Sequence, residues 1–396
     1  MQRTELEQLM TAEGLNLLDS LPPYTNGANI VRSVADLRKR GYSAALVGAV
    51  MTQARLRARA TGKFGDFADR MLFTEAGLEQ ATRLSVASLH AGRFRRAGIA
   101  RVADLGCGIG ADALAFAGLG LDVVAVERDE VTAAIASYNL APFDTATVEH
   151  GDAESFDTSR VDGLYFDPAR RTAGHTNTSR LTDPADYSPS LDHVFGLAER
   201  MPVGVKLGPG LDRDLLPADA EAQWVSVDGH VVETGLWFGP LARDGIRRSA
   251  LVIAKGRSDE LHAAEDSEDV DAGALGEYLY EPDGSVIRAR LIGDLARSLG
   301  ARMVAEQIAY LTADSLIETP FASAFRVRAV FPFAIPALKK ELKAQGIGRL
   351  EIKKRGVDID PQTLRPRLAL QGSEEATLFV TRVAGRHTAI LADRLG

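Results

Sequence analysis

A glycine-rich turn carries the most specific chemistry in the chain. Its sequence, Asp104-Leu105-Gly106-Cys107-Gly108-Ile109-Gly110, follows a short apolar run and precedes the apolar stretch 111–119, a pattern typical of a strand, a turn and a helix. Glycines allow a sharp turn and let a ligand approach the main chain, and the helix start offers free N–H groups with a positive partial charge. We therefore predict a nucleotide-binding turn, in which Asp104 suits an ammonium group better than a pyrophosphate.

Two further acids follow the next two predicted strands. Glu127 ends the apolar run 123–126, where a carboxylate can accept hydrogen bonds from both ribose hydroxyls, and Asp152 can accept one from an adenine amine. Arg128 and Ala153 follow these acids and complete the predicted cofactor contacts. A dinucleotide site would require Gly-x-Gly-x-x-Gly, with Ala111 in the third glycine position. A nicotinamide dehydrogenase is therefore the less favoured alternative.

An acid and a proline follow the fourth predicted strand, near 163–166. Pro168 would stiffen the turn, and Asp167 could accept a hydrogen bond there. The pair resembles the acid and proline of methyltransferases that modify a base nitrogen, which implies that Asp167 accepts a hydrogen bond from an exocyclic amine and directs the lone pair of that amine. Arg170 and Arg171 come next, and arginine can stack on a base or bind phosphate. We predict Asp167 and Pro168 as catalytic residues and the two arginines as substrate contacts, with a simple strand end as the alternative.

These motifs, taken together, resemble the class I S-adenosylmethionine (SAM)-dependent methyltransferases. The resemblance implies SAM as the cofactor, with Glu127 on its ribose and Asp152 on its adenine. It places the three glycines of the turn near the methionine part, namely Gly106, Gly108 and Gly110. Members that modify a base nitrogen carry Asp/Asn-Pro-Pro and an aromatic residue where this chain has Asp167-Pro168-Ala169-Arg170. The departure leaves open an altered form of base methylation or a different acceptor.

A segment before the first strand, residues 71–82, loosely resembles the Thr-Pro-Glu segment that closes over SAM in trimethylguanosine-synthase-like enzymes. Ala76 prevents a literal match. The resemblance implies that Phe73 and Thr74 lie over the cofactor. Thr74 as the N-cap of an ordinary helix is an equally good interpretation.

The C-terminal segment 347–357, with Asp360-Pro361 and 376–382, resembles the THUMP-like domain of a bacterial methyltransferase family whose members also contain Asp-Pro-Ala-Arg. THUMP domains bind RNA in RNA-modifying enzymes, so the resemblance implies an RNA partner. Residues 325–396 contain 14 Lys and Arg against 7 Asp and Glu, a balance of +7 in a chain of net charge −8. Lys353, Lys354 and Arg355 could therefore bind phosphates, unless they only protect a solvated edge strand.

The 396 residues suggest two or three units. We expect a helical region at 1–95, a methyltransferase domain at 96–257, an acidic linker at 258–274 and a THUMP-like domain at 275–396. The alternation of strands and helices after residue 101 predicts an α/β fold. Its core would be a Rossmann-like, doubly wound and mostly parallel sheet of seven strands, followed by the smaller α/β THUMP-like domain.

The remaining features narrow the function. No run of about 18 uncharged apolar residues occurs, so no membrane partner is expected. The only cysteine, Cys107, fits a reducing cytoplasm, and no residues show metal-ligand spacing. We predict a cytoplasmic, SAM-dependent methyltransferase that acts on a base nitrogen in ribosomal or transfer RNA, with no DNA partner. A SAM- and RNA-binding protein with little catalysis and a methyltransferase for a small molecule or protein stay open, as does the oligomeric state.

Overall fold

The computed structural model describes residues 2–24, 28–170 and 187–395. The chain divides into two compact units, Met1–Leu207 with Trp237–Ala242, and Gly208–Leu236 with Arg243–Gly396. The main division therefore falls near residue 207, whereas the sequence suggested boundaries near 95 and 258. The first of these boundaries is bridged because the N-terminal helices and the first strands bury their apolar side chains in one shared core.

Helices fill the chain before the first strand. They are α1 (Arg3–Leu9), α2 (Ala12–Asp19), α3 (Ala28–Lys39), α4 (Ala44–Phe64), α5 (Glu75–Gln80) and α6 (Leu84–Arg96). Side chains of Thr11, Ser43 and Thr74 accept hydrogen bonds from the first turns of α2, α4 and α5, which fixes where these helices start. The helical N-terminal region is thus confirmed. No helix in the described ranges is long and apolar enough to cross a membrane.

Strands and helices alternate from residue 101 onward, as predicted. The strands of this part are β1 (Arg101–Leu105), β2 (Asp122–Glu127), β3 (Ala146–His150), β4 (Gly163–Phe166), β5 (Ala169–Arg170), β6 (Tyr187–Ser188) and β7 (Val203–Leu207). Its helices are α7 (Ala111–Gly118), α8 (Glu130–Leu140) and α9 (Leu191–Ala198). Strands β3, β2, β1, β4 and β7 lie side by side and are parallel, which confirms the Rossmann-like fold.

The sheet contains nine strands, so the prediction of seven was wrong in number. The further strands are β8 (Glu221–Val227), β9 (His230–Trp237), β10 (Arg248–Ala254) and β11 (Arg257–Ala263), in the order β11-β10-β8-β9-β7-β4-β1-β2-β3. Strand β11 occupies the start of the expected acidic linker 258–274. It forms because Lys255 and Gly256, both with positive φ, make a two-residue hairpin turn after β10. Glu260 on β11 is not a solvated linker charge, since it pairs with Arg243.

A second sheet of seven strands forms the C-terminal α/β part. Its strands are β12 (Tyr278–Pro282), β13 (Arg302–Ala305), β14 (Ile308–Ala313), β15 (Ala322–Pro332), β16 (Ile347–Lys354), β17 (Glu374–Val383) and β18 (Arg386–Leu395), in the order β13-β14-β12-β15-β18-β17-β16. The helices are α10 (Gly284–Arg288), α11 (Ile292–Ser298), α12 (Ile335–Ala344) and α13 (Pro361–Leu368). Helices α12 and α13 bury leucines against one face of β16, β17 and β18.

Candidate cofactor and acceptor site

The glycine turn between β1 and α7 has the backbone that its sequence predicts. Gly106, Gly108 and Gly110 have φ values of 90°, 55° and 84°, which L-residues with a side chain rarely adopt. A Cβ atom on Gly106 would lie 3.3 Å from the carbonyl oxygen of Asp167. The turn after β1 therefore runs directly beside the main chain that follows β4, and only a residue without a side chain allows this approach.

Glu127 is anchored to the glycine turn. Its Oε2 accepts a hydrogen bond from the N–H of Gly108 at 3.0 Å, and its Oε1 accepts one from the N–H of Asp129 at 2.8 Å. Arg128 is exposed, and its carbonyl oxygen lies 3.0 Å from Nε2 of His150. The carboxylate of Glu127 is thus held at the carboxyl end of β2, where the sequence placed it.

Asp152 and Ala153 follow β3, the strand next to β2. Asp152 is exposed, and its Oδ1 accepts a hydrogen bond from the N–H of Glu154 at 2.9 Å, so that it caps a single 3-10 turn beginning at Ala153. Because β1, β2, β3 and β4 are parallel, the residues that follow them meet at one edge of the sheet. This edge is the candidate site.

Asp104 is buried and poorly supplied with hydrogen-bond donors. Its side chain is 1% exposed, no described residue makes a hydrogen bond of ordinary geometry to either oxygen, and the backbone N–H of Ala113 only partly offsets the burial. Burial, followed by the neighbouring carboxylates of Asp112 and Asp167, raises the pKa of Asp104 well above its ordinary value. A buried acceptor left unpaired is costly, so the position favours a ligand that brings a donor or a positive charge.

Asp167, the predicted catalytic acid, forms an ion pair that the sequence did not reveal. Its Oδ2 lies 2.5 Å from Nζ of Lys206 on β7, and the two side chains are 33% and 10% exposed. Pro168 is buried behind it. The only sequence signal for Lys206 was a lysine within the otherwise apolar strand β7, which neighbours β4 in the sheet.

Lys206 also belongs to a buried polar network that the sequence did not predict. Its Nζ donates to the hydroxyl of Thr82 at 3.1 Å, and that hydroxyl donates to Asp112 at 2.6 Å. The other oxygen of Asp112 lies 2.9 Å from Nδ1 of His90. Burial raises the pKa of Asp112, but the hydrogen bond from His90 and the nearby positive charges outweigh it and lower the pKa. Within the described ranges, no three His, Cys, Asp or Glu side chains are arranged to hold a metal ion.

The predicted cofactor lid is built differently from the expectation. Phe73 is 0% exposed and packs its ring against Phe64 at 5.6 Å between centroids, so its side chain belongs to the core and not to the site. Thr74 accepts a hydrogen bond from the N–H of Gly77 at 2.9 Å. It therefore acts as the N-cap of α5, the alternative that the sequence left open.

Two buried amide side chains hold the main chain just before Thr74. Gln53 donates to the carbonyl oxygen of Phe73 at 2.7 Å and accepts from its N–H at 3.0 Å. Asn139 makes the same pair of bonds with Leu72, at 3.0 and 2.8 Å, and also donates to the carbonyl oxygen of Ile109 at 2.9 Å. The N-terminal helical region is thereby fastened to the glycine turn.

The two arginines after Asp167 stay predictions as substrate contacts. Arg170 lies on β5, where its backbone pairs with that of Tyr187 on β6. Arg171 lies outside the described residues.

The predicted basic patch of the C-terminal part is largely neutralised. Lys353 lies 2.7 Å from Glu281 and 3.1 Å from Glu351, and Arg355 lies 3.8 Å from Glu281. Lys354 points to the opposite face of β16, is exposed and has no carboxylate within 4 Å among the described residues. Of the three residues predicted from sequence, only Lys354 presents an uncompensated charge.

Further basic residues follow on the two strands beyond Lys354. Lys354 is paired in register with Val380, Arg382 follows two residues later on the same face of β17, and His387 lies opposite Arg382 on β18. Arg386 precedes His387 and therefore faces the opposite side of β18, and all four side chains are exposed. In the described part of the chain, no carboxylate lies within 4 Å of Lys354, Arg382 or Arg386. We call Lys354 and Arg382, with His387 on the same face, the cationic end of the second sheet.

A glycine turn, together with acidic side chains that could bind a ligand at the carboxyl edge of a parallel sheet, defines a Rossmann-like nucleotide-binding protein. Two Mycobacterium tuberculosis proteins, MT3122 of strain CDC 1551 / Oshkosh and Rv3037c of strain ATCC 25618 / H37Rv, are each described as an uncharacterized S-adenosylmethionine-dependent methyltransferase. Each is 34% identical to this chain over 345 residues, covering 83% of it and 90% of the relative. The chain therefore belongs to the S-adenosylmethionine-dependent methyltransferases.

Other comparisons cover the fold and its parts. The crystal structure of a "putative methyltransferase" from Porphyromonas gingivalis W83 superposes with a TM-score of 0.75 at 22% identity, covering 99% of both chains, which supports the fold alone. Residues 322–394 match the family described as THUMP domain-like, and residues 2–60 match a domain of unknown function, DUF8688. The C-terminal resemblance seen in the sequence is thus confirmed.

The cofactor of this enzyme is SAM, and the residues of the candidate site fit it. SAM carries an ammonium group, and the buried carboxylate of Asp104 is poorly supplied with hydrogen-bond donors. The glycine turn admits close approach of a ligand, and Glu127 is held beside it. The site therefore offers features for both the amino-acid and the nucleoside parts of SAM.

Proposed function

We propose that this enzyme methylates a base nitrogen in RNA, and that Asp167 binds the acceptor amine. The observation that carries the proposal is the approach of the Asp167 main chain to Gly106, where a Cβ would be 3.3 Å from the carbonyl oxygen. The acid that would hold the acceptor thus lies beside the turn that would hold the cofactor. Proximity of this kind is a large part of the rate enhancement in transfer reactions.

The cofactor contacts are proposed by position. Asp104 would bind the ammonium group of SAM, and Glu127, with Arg128 next to it, would lie at the ribose. Asp152 and Ala153 would lie at the adenine. The three glycines of the turn would pack against the methionine part, as listed for the sequence: Gly106, Gly108 and Gly110. Thr74 would act indirectly by fixing the start of α5, whose Gly77 packs against Ile109 of the turn.

The chemistry then divides between cofactor and protein. SAM, when bound, would supply a methyl group that a nitrogen nucleophile can attack, and the sulfonium sulfur would leave as a neutral thioether. Asp167 would accept a hydrogen bond from the acceptor N–H and afterwards the proton that the methylated nitrogen releases. Its 33% exposed side chain can reach a substrate, and Pro168 behind it restricts the turn. Arg170 and Arg171 stay proposed substrate contacts.

Two features support RNA as the substrate class. Residues 322–394 match a THUMP domain-like family, and THUMP domains bind RNA in RNA-modifying enzymes. The cationic end presents Lys354 and Arg382 on one face without carboxylate partners among the described residues. Uncompensated cations on one surface bind a phosphate backbone and release counterions, and this attraction weakens with salt. We propose the cationic end, in place of Lys353 and Arg355, as the phosphate-binding surface.

Methyl transfer from labelled SAM into total RNA from a strain lacking this protein tests the reaction. We expect incorporation by the wild type, identified as an N-methylated nucleoside after nuclease digestion. Asp167→Ala should lose about 100-fold or more in rate, as expected for a group that handles the proton. Asp157→Ala is the matched control, because Asp157 is an exposed acid that only caps a turn. SAM binding without incorporation into any RNA would refute the proposal.

Substitutions of two neighbouring lysines, Lys353 and Lys354, test whether the cationic end binds RNA. Lys354→Ala should weaken binding of the same total RNA and reduce the slope of log affinity against log salt by about 1, the effect of one lost phosphate contact. Lys353→Ala is the matched control, because Lys353 is 19% exposed and already paired with Glu281. Equal loss in both variants would contradict the assignment of the cationic end.

A further inference from the structure

The ion pair between Lys206 and Asp167 is not explained by the proposed function, which assigns a role to Asp167 alone. Lys206 lies on the central strand β7, and its ammonium group reaches Asp167 Oδ2 at 2.5 Å. The side chain of Lys206 is 10% exposed, whereas that of Asp167 is 33% exposed. The carboxylate therefore faces the accessible side of the pair, and the ammonium lies behind it.

The hydrogen bonds of Lys206 restrict the position of its ammonium group. An ammonium group has three N–H donors. Those of Lys206 have acceptors in Asp167 Oδ2, the hydroxyl of Thr82 at 3.1 Å and the carbonyl oxygen of Gln80 at 3.4 Å. The Thr82 hydroxyl has its own hydrogen committed to Asp112 at 2.6 Å, so it presents a lone pair to Lys206. The direction of each bond in this chain is thus fixed.

We propose that Lys206 is the positioning residue for Asp167, an inference that rests on the proposed function of Asp167. Lys206 holds one carboxylate oxygen in place and keeps the carboxylate ionised, so that Asp167 is oriented toward the acceptor amine before the substrate arrives. A nearby positive charge favours the ionised form of a carboxylate. Lys206 acts through Asp167 and not on the substrate, because its donors are already occupied.

Lys63 provides a matched control. Its Nζ donates to the carbonyl oxygens of Leu78, Glu79 and Ala81 at 2.7–2.8 Å, at the same end of α5 that Lys206 contacts through Gln80. Lys63 is thus a second partly buried lysine that holds the same segment. Among the described contacts it does not touch Asp167, so replacing it removes the structural role without the positioning role.

The test uses the full chain, labelled SAM and total RNA from a strain lacking the protein. We expect Lys206→Met to lower the rate at saturating SAM and RNA at least 100-fold, with the Kd for SAM by calorimetry within threefold of wild type. Lys206→Arg should recover at least tenfold over Lys206→Met, since it restores the charge. In Lys206→Met the acid side of the pH–rate profile should move to higher pH. Lys63→Met should keep its rate within threefold.

A second measurement does not depend on activity. The urea midpoints of Lys206→Met, Asp167→Asn and the double variant form a cycle. If the pair is coupled, the double variant should unfold at no lower urea concentration than the weaker single variant. Additive losses in midpoint, or equal rates for Lys206→Met and Lys63→Met, would overturn the proposal. Failure of the wild type to methylate RNA would refute only the proposed function, and the cycle would still decide whether Lys206 positions Asp167.

Discussion

Asn139 is the residue whose replacement should most clearly separate the N-terminal helices from the glycine turn. Asn139→Leu keeps the approximate size of the side chain but removes all three of its hydrogen bonds to main-chain groups. The N–H and C=O of Leu72 and the C=O of Ile109 would lose their partners. Asn139 itself is 3% exposed, so water does not readily replace it.

The expected magnitude follows from these three groups. Leaving a buried polar group unpaired costs about 1–3 kcal/mol, so the variant should lose about 3 to 9 kcal/mol of unfolding free energy. A typical domain is stable by only about 5–15 kcal/mol, which makes this a large share. With a urea dependence of about 3 kcal/mol per molar, the midpoint should fall by about 1 to 3 M.

Urea unfolding followed by circular dichroism, with and without saturating SAM, measures both consequences. Ser137→Ala on the same helix is the control. Its hydroxyl donates only to the carbonyl of Ala133 within α8, and we expect a change within about 0.5 kcal/mol. The midpoint increase caused by SAM should also shrink in Asn139→Leu, because Ile109 belongs to the turn. An Asn139→Leu variant as stable as Ser137→Ala would refute the idea that these bonds fasten the segment.

Three further outcomes can be checked on the same protein. Burial raises the pKa of Glu260, but hydrogen bonds led by that from Arg243 lower it to about 2 from the ordinary 4.5. The ionised carboxylate therefore stabilises the fold fully above pH 4.5, and this contribution disappears as the pH falls toward 2. Glu260→Gln should lower the free energy of unfolding by about 3 kcal/mol at pH 7 and make stability depend less on pH between 4.5 and 2. The pKa of Asp104 is raised, so its carboxylate destabilises the folded protein at pH values above the ordinary pKa of 3.8. Asp104→Asn should therefore increase the free energy of unfolding at pH 7, yet it should reduce the thermal shift caused by SAM. A less stable variant would contradict this expectation. Burial also raises the pKa of the Cys107 thiol, so a thiol-reactive dye at pH 8 should label the native protein far more slowly than the urea-unfolded chain, and equal rates would disprove it.

Local chemistry explains which parts of the site could be predicted from sequence. The glycine turn and Glu127 depend on backbone freedom and strand ends, which a short window of residues displays. The pairing of Asp167 with Lys206 depends instead on strands β4 and β7 becoming neighbours in the sheet. The role of Asn139 could not be predicted from sequence for the same reason, because its hydrogen-bond partners are 67 and 30 residues away along the chain.

The C-terminal strand shows a second limit. The sequence correctly marked a strand with Lys353 and Lys354, but these adjacent residues face opposite sides of it. Which side holds a carboxylate was decided by Glu281 on β12, far away in the chain. Strand β11, which forms a hairpin with β10, was missed because the acids after the Lys255-Gly256 turn have the composition of a linker.

The sequence separation between Leu72 and Asn139 also determines how long the nascent chain contains one residue without the other. Synthesis proceeds at about 5–20 residues per second, so Asn139 is made about 3 to 13 s after Leu72. Throughout that interval the segment before Thr74 exists with only the Gln53 half of its attachments. We therefore expect a ribosome paused between these two codons to expose this segment to chaperones and proteases before its hydrogen bonds to Asn139 can form.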